Sequence, residues 1–167
     1  DTITALDQVP RPPLPASVDG AAVTVLDIGW DVSQVAAAPA HWVGHQLARA
    51  HAVLVVAEAT VPSLRRLEST LSRLPNRLAD NQRVVAVLGP RPRRWPRHLI
   101  AAAGPLTTAA IQDSRLIGLP FVGELHSRGL DGSPLPKPLL AAASDIADRL
   151  RLSSLHPVTT SMKGHST

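Results

Sequence analysis

The 167-residue sequence has no cysteine and no tyrosine, and only one phenylalanine, three tryptophans and two lysines, Lys137 and Lys163. Without cysteine there is no disulfide, no thiolate nucleophile and no cysteine-ligated zinc or iron–sulfur centre. With so few aromatics the chain lacks the stacking platforms of the usual single-strand RNA binders. No apolar run approaches the roughly 20 residues that span a bilayer. The first residues, DTITALDQVPRPPLP, lack the basic start and apolar stretch of a secretory signal. The final ones, SSLHPVTTSMKGHST, lack the apolar stripe of a basic amphipathic membrane anchor. These absences predict a soluble, cytoplasmic protein with no membrane partner. A start at Asp1 rather than Met carries the expectation that residues lie upstream.

What is present is aliphatic and arginine-rich. Hydrophobic residues make up 44% of the chain and the net charge is +4, almost wholly from arginine. An arginine-heavy, alanine-rich composition of the kind GC-rich genomes produce makes the global charge a weak guide to partners. The length suits one domain with a real core, and a core of Ala, Val and Leu favours layered strands and helices.

Along the chain, residues 1–20 are dotted with proline and read as an irregular lead-in. Residues 21–29 (AAVTVLDIG) are continuously apolar and β-branched, as in a strand buried on both faces. Asp31 or Ser33 then caps a helix to about Arg49, with Pro39 breaking it. The unit recurs. Residues 52–57 (AVLVVA) form a second strand, and Thr60 with Pro62 opens a helix whose Leu64, Leu67, Leu71 and Leu74 share one face. Residues 83–88 (RVVAVL) form a third strand, followed by helical stretches near 96–103 and 107–112. Residues 116–119 form a fourth strand, and a helix runs from Pro136 or Lys137 to about Leu152. Residues 153–167 read as a disordered tail. Strand and helix alternating without hairpin signals predict an α/β domain over 21–152, a parallel sheet flanked by helices in a doubly wound arrangement. Ligands of such sheets bind outside the strands' carboxyl ends. The loops to watch are therefore 27–33, 57–61, 89–95 and 120–135.

Asp27 closes an apolar strand, where a carboxylate can orient magnesium through water. An isolated aspartate in that place more commonly caps the turn that follows. Gly89-Pro90-Arg91-Pro92-Arg93-Arg94-Trp95-Pro96-Arg97 sets four arginines and an indole at a strand's end. Such a loop can grip phosphates or stack on a base, or simply be a solvated loop stiffened by proline. His41 and His45 share a helical face but have no third ligand and no adjacent glutamate, which argues against a zinc site. No G-x-S-x-G occurs, so a serine hydrolase elbow is excluded.

Taken in order, VTVLDIG, AVLVVAEATVPSLRRLESTLSRL, RVVAVLGP and RLIGLPFVGELHSRGLDGSPLP resemble the carboxyl-terminal two-thirds of the ParA/MinD group of P-loop ATPases over about residues 21–151. The matching features are the strand ending in Asp27, the stretch Glu58 to Ser63, the strand closed by Leu119-Pro120, and the Gly129 to Pro136 loop before the last helix. The resemblance implies a P-loop NTPase-like fold and a nucleotide-dependent or vestigial switch in partitioning, positioning or secretion. It implies that Asp27 orients Mg2+, that Gly29 to Asp31 sense the γ-phosphate, and that Pro120 to Glu124 line the base. Gly89-Pro90 stands at the adenine-reading position, where the family commonly has Asn. G-x-x-x-x-G-K-[ST] is absent, so ATP and Mg2+ are expected only with a phosphate loop upstream; without one the chain is a pseudo-ATPase. The expected partners are a protein or a second copy, with non-specific DNA through Arg91, Arg93, Arg94 and Arg97. The competing reading is a non-enzymatic interaction module that uses that loop.

Overall fold

The computed structural model describes residues 23–74, 82–129 and 131–151, together with Leu6, Val9 and Pro10. The expected tail and most of the expected lead-in fall outside these residues. Three strands, β1 (Val53–Glu58), β2 (Arg83–Leu88) and β3 (Leu116–Leu119), form a parallel sheet in the order β1-β2-β3. The register runs from Val53 opposite Arg83 to Glu58 opposite Leu88, and from Val85 opposite Leu116 to Leu88 opposite Leu119. The predicted α/β class and parallel pairing are thus present.

The helices follow from local chemistry. α1 (Val32–Ala37) begins where the Asp31 carboxylate accepts the Ser33 amide, and α2 (Trp42–Arg49) begins where His41 Nδ1 accepts the Val43 amide. The break predicted at Pro39 separates them. α3 (Val61–Arg73) is capped by Thr60, whose hydroxyl accepts from Ser63 N at 3.4 Å, with Pro62 in its first turn. Proline is tolerated there because those amides have no intrahelical partner. α4 (Arg97–Ala102), α5 (Pro105–Gln112), α6 (Gly123–Arg128) and α7 (Lys137–Arg149) complete the described elements. The short α6 occupies part of the region expected to be loop.

One face of the sheet carries the main core. Val85, Val87, Ala57 and Leu116 meet Leu64, Leu67 and Leu71 of α3, Val35 of α1, Val43 and Leu47 of α2, and Ala110 of α5. The leucine stripe read from α3's spacing is therefore its buried face. Each such side chain, fully buried, contributes about 1.5–3 kcal/mol. On the other face α7 covers β2 and β3, where Ala142, Ile146 and Leu150 lie on Val84, Ile117 and Leu119.

One expectation fails. The apolar run ending in Asp27 is not a strand: residues 23–28 have no regular structure and pair with nothing in the sheet. Val25 is 84% exposed. A continuous apolar, β-branched run satisfies the pattern of a buried strand, but that pattern becomes a strand only if a sheet edge is beside it.

Candidate functional site

The carboxyl ends of the three strands bring their loops together. Ala59 N donates to Leu88 O at 2.9 Å, and Gly89 N donates to Leu119 O at 2.9 Å. These bonds carry the parallel ladder one residue past β1 and β2 and set the turns after β1, β2 and β3 side by side. Gly89 has φ +127, and a Cβ there would stand 2.9 Å from the Ala59 Cβ. Both the backbone angle and the space select glycine. A Cβ on Gly118 of β3 would meet Arg91 Cγ at 3.0 Å, so the base of the Arg91 side chain rests on β3.

Between β1 and α3 a cleft of about 530 Å³ is lined by Val56, Glu58, Thr60, Ser63, Arg66 and Leu88, among others. Its polar wall is already engaged, since Ser63 Oγ accepts the Glu58 amide at 2.9 Å. The loop 57–61 was a place to look from the sequence. Arg66 was hidden there, because on a helix pattern it is one more exposed arginine.

The loop after β2 is held by local bonds and a buried side chain. Pro92–Arg94 form a 3-10 turn, with Arg94 N donating to Arg91 O at 2.8 Å. Trp95 is 5% exposed and its Nε1 donates to Pro90 O at 2.7 Å. The indole packs in the main core. Of the alternatives open for this loop, stacking of the indole on a base is thereby removed: Trp95 anchors the loop from beneath. Arg91, Arg93, Arg94 and Arg97 are all exposed, and none has an ion-pair partner among the described residues. Phe121, 61% exposed just past β3, has its ring centroid 5.5 Å from that of His126.

The residues assigned to a nucleotide by resemblance fall into two groups. Gly89 and Pro120 follow β2 and β3 at the sheet's carboxyl edge, and Glu124 is exposed in the first turn of α6. Asp27 and Gly29 line a cleft of about 200 Å³ with Leu26, Ile28, Trp30 and Trp42. Asp31 caps α1; hydrogen bonds from the Ser33 hydroxyl and then the Ser33 amide hold its carboxyl below the usual carboxylate range, with smaller help from Arg66 and Arg73. His41 serves as a helix cap through Nδ1. No group of three or more metal-ligating side chains occurs among the described residues, nor is any of their helices long and apolar enough to cross a membrane.

Compared with known proteins, the chain matches no family model, no curated protein and no solved structure.

Proposed function

We propose that the chain is a ParA/MinD-like α/β module acting in partitioning, positioning or secretion as a nucleotide-dependent or vestigial switch, whose output is contact with a partner. The observation that supports this reading is the shared carboxyl edge. There the Glu58–Ser63 turn and Leu119-Pro120, two of the features on which the resemblance rests, follow parallel strands on either side of β2, taken in chain order. Residues 1–167 contain no G-x-x-x-x-G-K-[ST], and the amides and lysine of that loop supply most phosphate binding in P-loop proteins. These residues alone therefore hydrolyse no ATP. Phosphate release from Mg-ATP above that of an Asp27→Asn control would overturn the reading. The gene upstream of Asp1 tests its nucleotide-dependent form: a phosphate loop supports it, and an unrelated domain removes it.

A second reading is favoured by the arginine loop. Four exposed guanidinium groups without carboxylate partners among the described residues, on a loop pinned by a buried indole, suit a polyanion such as nucleic acid. In that reading the module is not an enzyme. Titration of labelled duplex DNA at low salt, with the four arginines changed to alanine as the comparison, tests it. Binding that vanishes in the variant supports the second reading; binding that persists excludes the loop.

A further inference from the structure

Two features of this chain are unsatisfied in complementary ways. The first is the outer edge of β1. Among the described residues β1 pairs with β2 alone; at its other edge Glu58 is engaged by Ser63 Oγ and Thr60 N, while Leu54 and Val56 have no strand partner there. Val53-Leu54-Val55-Val56-Ala57 contains no charge, proline or glycine, the devices by which sheet edges usually resist pairing. Leu54 and Val56 are 39% and 64% exposed, on the face where α7 packs over β2 and β3. The second is the run Val23–Ile28. It has the composition of a strand, yet Val23, Val25 and Leu26 are 39%, 84% and 42% exposed. Ile28 and Trp30 at its end pack against the main core, so the run leads out of the core just ahead of α1.

We propose that residues Val23–Ile28 of one copy add as a fourth strand to the β1 edge of a second copy, and that the exchange is reciprocal. One interaction then answers both features: the edge gains a ladder partner, and the exposed valines are covered beside Leu54 and Val56. Reciprocity closes the assembly at two copies, as two-fold symmetry requires. The two acids of the pairing, Glu58 at the end of β1 and Asp27 near the end of the run, stand apart when the two strands run antiparallel.

The test is the mass of the 167-residue chain in solution by light scattering, for the wild type, Val25→Glu and Val56→Glu. Both positions are exposed, so the circular dichroism of each variant should match the wild type; Val23→Glu and Leu54→Glu provide second variants at the same two surfaces. The wild type should have twice the monomer mass and each variant the monomer mass. Mixing the two variants should restore a dimer, because Val25→Glu keeps an intact edge and Val56→Glu keeps an intact run. A wild-type monomer at every concentration overturns the proposal, as does a dimer that survives either substitution. Loss in both variants without recovery on mixing also overturns it, whereas a dimer that survives Val25→Glu but not Val56→Glu points to two β1 edges pairing with each other.

Discussion

Glu68 reads in the sequence as one more acid on the solvent side of α3. In the structure its carboxylate receives three hydrogen bonds: from Leu106 N at 2.8 Å, Thr107 N at 2.9 Å and Thr107 Oγ1 at 2.8 Å. It thereby caps α5, a different helix, at a place where amides lack intrahelical partners. Thr107 is fully buried, so removing the carboxylate leaves donors that water does not reach. Glu68→Ala should lower unfolding stability by about 3 kcal/mol, since each unsatisfied buried group costs roughly 1–3 kcal/mol. Urea denaturation measures it, and Glu68→Gln, which keeps one acceptor oxygen, should cost less. No local pattern reveals this contact, because its partners stand 38 and 39 residues apart in sequence. Asp31 is the opposite case, legible as a cap because its bond to Ser33 spans two residues. Its folded carboxyl titrates below the unfolded value, first through the Ser33 hydroxyl and then the Ser33 amide. The stability it contributes is therefore complete above the unfolded value of about 3.9 and fades as pH falls through the lower folded one. Asp31→Asn keeps a good cap without the charge, so it should flatten that part of the acid limb. Denaturation curves taken stepwise below about pH 5 would show it; an unchanged acid limb would remove Asp31 from the account.

At the scale of elements, the sequence was most readable where the core enforces a period. The leucines of α3, the apolar runs of β1 and β2, the break at Pro39 and the caps at Asp31 and Thr60 all follow from spacing and local bonding. The run before Asp27 was misread because composition describes what a segment can pair with, and only the sheet decides whether it does. The arginine loop is legible as a basic feature, but the side on which Trp95 lies is not. An indole among prolines and arginines gives no periodicity from which to infer a face. Its placement makes a prediction about the whole loop. Trp95→Ala removes a buried aromatic and the bond to Pro90 O, which should cost about 3–5 kcal/mol. The arginines stay in the sequence but lose the support that holds them together. Trp95→Phe retains most of the apolar volume and loses the hydrogen bond, so its cost should be smaller, about 1–2 kcal/mol. Thermal denaturation of the two variants separates packing from hydrogen bonding.

For the whole molecule, the site was legible as a set of loops and less so as a set of residues. The strands' carboxyl ends were identifiable in advance because a parallel sheet puts its open crevices there. Which side chains those crevices use depends on long-range contacts such as Gly89 against Ala59 and Arg91 over Gly118, which spacing does not encode. The nucleic-acid reading makes a claim on the same edge that a salt titration can check. If Arg91, Arg93, Arg94 and Arg97 each neutralise one DNA phosphate, log affinity should fall with log salt at a slope of about −3.6. Each single Arg→Ala change should then lower the magnitude of that slope by about 1 and weaken binding to unrelated sequences alike, since phosphate contacts carry no base information. A slope of that size needs all four guanidinium groups on one duplex, and the turn at Pro92–Arg94 with the Trp95 anchor sets them on one loop. Trp95→Phe, measured under conditions where it is fully folded, should therefore keep the slope and lose little affinity. A slope near zero, or one unchanged by removing all four arginines, would place the phosphate contacts on another surface.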